Sequence, residues 1–364
     1  METTEQPVRV INHKTMRKVI GLIAIQMPVA VVLLSGRPAA DLSSISISYW
    51  TTSHDIFVGS LIAVAFFLFA YNGTGACRRD IEFWLGKAAC IFAIVVAFFP
   101  TTDFNDCTDC APGWVMSLAD WVSLKPHQLH YPAAILLFSC LVLMMSFFSL
   151  RAKNKGEYAR ANIYFTISLS MLIGMPLIYV VGEYTGWYES VFWVEFVGLL
   201  LFGIGWLVAG TYTSKPVELV SGEAEIVDRF KVDPREHNFE TNIVVKEGER
   251  YFFEAKGCWK DWFMECDPNG WGPGWNPFAA KNRMKWKPMF MLCGNVGKND
   301  KYAFAIGARG PWTVPAIDDV EPRVRKLYLF ANDWENKYGN NQALAHGEGG
   351  PLEVTVYRFK SDVG

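Results

Sequence analysis

Along the first part of the chain apolar residues come in long unbroken runs, whereas toward the carboxyl end they come in short alternating ones. Six long runs occupy residues 19–36, 54–71, 82–99, 131–150, 162–182 and 190–212. At about 1.5 Å of rise per residue, each can cross a hydrocarbon layer of roughly 30 Å. The pattern predicts six transmembrane helices within residues 1–215. No small-residue cleavage site separates the first run from the second, so the first reads as a retained helix and not as a secretory signal.

The period changes after a polar linker at residues 216–241. Short aromatic and β-branched runs follow at 242–246, 250–257, 289–296, 302–308, 325–332 and 352–359, punctuated by glycine and proline. Such a series predicts antiparallel strands and a β-sandwich of jelly-roll type over residues 242–364. The fold class is therefore an α-helical membrane protein carrying an all-β domain.

Composition sharpens the division. Of 34 basic and 36 acidic residues, the first 212 positions hold 13 and 14, leaving 21 and 22 for the last 152. Charge is thus about twice as dense in the second part, as a soluble domain requires. The net charge of −2 is spread evenly and neither part shows a basic face, which argues against nucleic acid as a partner.

Basic residues also predict the orientation, because Lys and Arg in short loops stay on the cytoplasmic side. Arg9, Lys14, Arg17, Lys18, Arg78, Arg79, Arg151, Lys153, Lys155 and Arg160 fall on one side of the six runs, and Arg37 and Lys125 on the other. Both termini are then cytoplasmic in a multi-pass protein of the inner membrane, and the lipid membrane is its first partner. A homo-oligomer is left open.

Ionisable groups near membrane depth are costly and commonly functional. Asp55, Asp103, His130 and Glu195 fall toward the outer end of the runs and are candidates for an outer-leaflet pocket, holding a metal or a lipid headgroup and serving as catalytic residues of a lipid- or envelope-modifying hydrolase. The competing reading is ordinary helix-end chemistry. Of the 8 cysteines, Cys107 and Cys110 form the close outward-facing pair and are expected to be joined. In its span count, the acidic motif at the second run and the histidine opening the fourth, this part resembles the Frag1/DRAM-like six-helix membrane proteins.

In the β part no dinucleotide fingerprint, P-loop or serine elbow occurs. What stands out is "NDWENKYGNN", residues 332–341, which follows the apolar run "KLYLFA". Asp333, Asn340 and Asn341 supply carboxylate and amide oxygens around a glycine turn, the donor types a hard cation such as calcium takes. The spacing Asn332-Asp333, four residues, Tyr338-Gly339-Asn340-Asn341 resembles the calcium loop of the PA-I galactophilic lectin family. The stretches "GERYFFEAKGCWKDW", "GWGPG" and "MLCGNVG" extend the likeness over roughly 120 residues.

That resemblance implies a calcium cofactor held by the side chains of Asp333, Asn340 and Asn341 and by the backbone oxygens of Lys337 and Trp262. It also implies a carbohydrate-like ligand at Asp333, while Trp271, Trp275 and Trp286 are candidates to stack on a sugar face. The histidine and glutamine that contact sugar in that family have no counterpart in residues 276–288. The expected function is therefore a membrane-anchored module that binds or senses a ligand with calcium; the alternative is the hydrolase.

Overall fold

The computed structural model describes residues 13–71, 73, 77, 80–105, 110–211, 224–272, 277–321 and 324–360. The chain forms two compact units: residues 1–71 with 85–214, and residues 72–84 with 215–364.

The first unit is helical: α1 (His13–Leu34), α2 (His54–Ala70), α3 (Ile81–Phe98), α4 (Gly113–Trp121), α5 (Pro126–Asn154), α6 (Tyr158–Leu169), α7 (Met175–Thr185) and α8 (Ser190–Thr211). Five helical stretches are long and apolar enough to cross a membrane: 14–34, 81–98, 126–153, 158–185 and 190–211. The expected second span, α2, is equally apolar but only 17 residues long. The fifth run is one stretch with a wide turn at Ser170–Gly174. Pro176 lies just beyond it, where a missing N–H and a ring that crowds the preceding turn favour local unwinding.

Glycine lets α1 and α8 touch backbone to backbone. A Cβ on Gly21 would stand 2.7 Å from the Gly203 carbonyl oxygen, and one on Gly203 2.8 Å from that of Gly21. Small residues are what allow such approach between helices in lipid, where packing replaces the hydrophobic drive. Around this seam Ile20, Ala24, Phe202 and Trp206 are buried with Leu141, Met144 and Met145 of α5.

The second unit is all-β and antiparallel. One sheet runs β1 (Ala224–Val232), β11 (Leu352–Phe359), β3 (Arg250–Lys256), β8 (Arg309–Thr313); another runs β2 (Phe239–Val244), β9 (Lys326–Ala331), β6 (Leu292–Val296), β7 (Asn299–Ala305). A third, short sheet joins β10 (Asn341–Ala343), β4 (Trp259–Asp261) and β5 (Met264–Cys266). In β3, Tyr251, Phe253 and Ala255 alternate inward; in β11, Leu352, Val354 and Val356 do the same. They share one apolar core with Leu292, Val296, Leu327, Leu329 and Ala331 of the other large sheet. A one-residue slip would turn either set outward, so burial itself fixes the register.

Two expectations change here. The linker at 216–241 contains β1 and the start of β2, and residues 72–84 belong to the β unit. β1 escapes sequence reading because it is an edge strand, charged at four of its five exposed positions. The second change is covalent: Cys77 and Cys258, 181 positions apart, form a disulfide buried beside Leu344. Cys110 is also disulfide-bonded, while Cys107, its expected partner, lies outside the described residues, as do Arg9, Arg78 and Arg79.

Candidate functional site

β9 is buried over nearly its whole length and runs straight into Asn332 and Asp333, so the loop that follows starts from a fixed point. Asn332 is a structural anchor. Its side-chain oxygen accepts from the Met284 N–H at 2.7 Å and its amide donates to the carbonyls of Met284 and Pro288 at 3.1 and 3.0 Å. Tyr338 ties the far side of the loop back, its hydroxyl donating to the Ala331 carbonyl at 2.7 Å. A short 3-10 turn over Tyr338–Asn340 then delivers Asn341 to β10.

β10 pairs with β4 so that Asn341 stands opposite Asp261. This pairing brings a second carboxylate to the loop, one that sequence reading missed. Asn340 donates from Nδ2 to Asp261 Oδ1 at 2.8 Å, and Asp261 and Asp333 are close enough for their charges to repel. Both carboxylates are buried, at 9% and 3% exposure. Asp261 is pushed up to about 6, first by burial and then by the negative charge of Asp333, against the opposing influence of Trp271 and Asn340. Asp333 is raised as well, by burial, with the Trp334 N–H, Asn341 and Lys337 pulling the other way.

Two acceptors are left over. Asp333 Oδ1 accepts from the Trp334 N–H at 2.6 Å, but Oδ2 is buried with no hydrogen bond; Asn341 donates from Nδ2 to the Pro234 carbonyl at 3.0 Å, while its Oδ1 is buried and likewise unpartnered. Stranded acceptors of this kind cost about 1–3 kcal/mol each unless something electropositive meets them. The turn beside them is strained too: between β4 and β5 only Trp262 and Phe263 intervene, and Trp262 sits at φ 51°, a region that bulky residues avoid. Its carbonyl follows directly on Asp261, as the expected ligand set requires.

Among the described residues no three of His, Cys, Asp and Glu gather around a point that could hold a metal. A cation at this loop must therefore be bound by two carboxylates, carboxamides and backbone carbonyls, an all-oxygen set that suits calcium and disfavours zinc. The residues that would hold such an ion are Asp261, Asp333 and Asn341, with Asn340 once its amide turns to present oxygen and, as the family resemblance implies, the carbonyls of Trp262 and Lys337. The Lys337 carbonyl accepts from the Asn340 N–H at 3.3 Å.

Aromatic side chains rim the site. Trp262 and Phe263 are 71% and 51% exposed, and the Trp334 indole, stacked on Phe278, donates to the Phe278 carbonyl at 3.1 Å. Of the three tryptophans picked from sequence, Trp286 is exposed and Trp271 packs on the apolar core with its backbone paired to Met289, so Trp271 is not a free stacking surface. Trp275 lies outside the described residues.

In the helical unit the four outer candidates have separate tasks. Glu195 accepts from the N–H groups of Ile45 and Ser46 at 2.5 and 3.2 Å and from the Ser46 hydroxyl at 2.8 Å, capping a 3-10 turn. His130 Nδ1 bonds the Phe99 carbonyl at 2.6 Å, just past the end of α3. Asp55 is wholly exposed, beside His54 at 2.9 Å. Asp103 alone of the four lines a groove of about 560 Å³, with Arg37, Asp41, Trp50 and Tyr188 among its neighbours. Of the four, Glu195 and His130 are engaged by backbone groups that would otherwise go unpaired.

Compared with known proteins, the chain matches no family model and no curated protein.

Proposed function

We propose that the β unit binds calcium at the Asp261–Asp333–Asn340–Asn341 cluster and, through the ion, a carbohydrate-like polyol, and that the helical unit anchors this module in a membrane as a sensing or binding protein. The observation that carries the reading is the pair of buried, mutually repelling carboxylates next to two unpartnered acceptors, Asp333 Oδ2 and Asn341 Oδ1. Such an arrangement is costly when empty and favourable around a divalent cation. Vicinal hydroxyls can complete calcium's shell, and Trp262 and Phe263 offer apolar faces to a sugar ring. The jelly-roll connectivity and lectin kinship expected from sequence belong to this proposal, as does α2 as a sixth span.

Orientation enters the same reading. Cys77 and Cys258 are separated by four of the membrane-crossing stretches, an even number, so a disulfide between them is consistent with both lying on one side. Cys110 is separated from Cys77 by α3 alone, so with α3 across the membrane the two cystines face opposite compartments. Their preferences for an oxidising space therefore cancel, and the ten-to-two distribution of basic residues supports cytoplasmic termini in an inner-membrane protein.

The test is retention of the full-length protein, in detergent, on immobilised galactose, mannose and fucose with calcium or with chelator. Calcium-dependent retention lost in Asp333→Ala supports the proposal; no calcium-dependent retention on any of the three removes the polyol from it.

A further inference from the structure

Where α5 gives way to α6, cationic side chains gather from three helices. Arg151 lies in the last turn of α5 and Lys155 caps it, Arg160 stands in the first turn of α6, and Arg17 comes from α1; Lys155 lies within electrostatic reach of all three arginines. Arg151 donates from Nη2 to the Tyr71 hydroxyl at 3.2 Å and lies over the Phe148 ring at 4.8 Å, which fixes its guanidinium. Arg160 pairs with Glu157, and these side chains are only 16% and 14% exposed. Arg17 Nε is buried with no hydrogen-bond partner.

Among the described residues, the groups acting on the Lys155 charge are three arginines and one carboxylate, Glu157. On an exposed surface that excess would be screened by water and salt. Here the three arginines are half-buried, and the cluster stands at the edge of the apolar stretches, since one membrane-crossing helix ends at Lys153 and the next begins at Tyr158. The Lys155 ammonium is held below the ordinary lysine range, first by lost hydration and then by Arg151 and Arg160, with Glu157 opposing. An anion would relieve the repulsion and give the Arg17 donor a partner. Phosphate is the best match in shape and charge, because its oxygens meet guanidinium forks in pairs.

We propose that Arg17, Arg151, Lys155 and Arg160 form a binding site for a phosphate-bearing anion at the membrane edge, between α1 and the α5–α6 turn. Two sources share this chemistry: the headgroup of an anionic phospholipid, which the depth of the site favours, and free phosphate.

The full-length protein in a neutral detergent is offered phosphatidylglycerol and phosphatidylcholine together and examined by native mass spectrometry. In parallel, its thermal unfolding is followed in sodium phosphate and in sodium chloride of equal ionic strength. Phosphatidylglycerol retained in preference, and weakened about fivefold by Lys155→Gln or Arg17→Gln, establishes a lipid site. Stabilisation by phosphate alone, lost in the same variants, establishes a site for the soluble anion. Lys155 is exposed, so Lys155→Gln is expected to fold even where Arg17→Gln does not. Equal lipid retention by wild type and Lys155→Gln, together with no phosphate-specific shift in the wild type, overturns the proposal.

Discussion

Replacing Asp261 with asparagine should stabilise the ion-free protein while weakening its hold on calcium. The folded carboxyl titrates at about 6 against an ordinary 3.8, so the folded state binds this proton more tightly than the unfolded chain does. For a carboxylate raised in this way, the cost of ionisation is absent below pH 4 or so, grows as pH climbs toward about 6, and is fully present above it. The interval from 3.8 to about 6 corresponds to up to about 3 kcal/mol. Asp261→Asn removes that cost, and the asparagine oxygen can still accept from Asn340. Near neutral pH with chelator, the transition of the β unit should rise by up to roughly 6–12 °C, at roughly 2–4 °C per kcal/mol. Tryptophan fluorescence during heating, with calcium and with chelator, reads both effects. Calcium should raise the wild-type transition far more than that of the variant. If Asp261→Asn melts lower than wild type in chelator, the carboxylate is a structural hydrogen-bond acceptor and the reasoning fails.

Other outcomes follow from the same geometry. Calcium affinity should fall as pH drops through about 6, because a proton on Asp261 competes with the ion; an affinity flat from neutral pH to 5 would contradict the raised carboxyl. Gly203→Leu should disrupt the α1–α8 seam, since even a Cβ there meets the Gly21 carbonyl oxygen at 2.8 Å, and its folded yield in detergent should drop well below that of Gly59→Leu, where a Cβ meets open space. Glu195→Ala strands the N–H groups of Ile45 and Ser46 and should cost the helical unit about 1–3 kcal/mol, measured by denaturant unfolding. Cys258→Ser should lower the stability of the β unit by on the order of 2 kcal/mol, and reductant should reproduce the loss in wild type while leaving the variant unchanged.

The legible parts of this chain are those whose determinants lie close together in sequence. Long apolar runs announce helices because nothing but length and hydropathy is needed, although the wide turn before Pro176 and the shortness of α2 emerge only with the backbone. The loop register of Asp333, Asn340 and Asn341 could be read because its members fall within ten residues. Asp261 could not be, since its place depends on β10 pairing with β4, 80 positions away in the Asn341–Asp261 register. A carboxylate one residue before the expected Trp262 ligand was the available signal. Glu195 read as a pocket residue because its partner, Ser46, lies 149 positions away. The union of Cys77 with Cys258, across 181 residues, was hidden for the same reason.

The account stands most directly on whether the loop holds calcium. Isothermal titration of calcium into the full-length protein at neutral pH should show a single saturable site per chain, and Asp333→Ala should show none while its helical unit remains folded. Absence of binding heat in the wild type together with no calcium-dependent shift in its melting, or equal binding by wild type and Asp333→Ala, would contradict it.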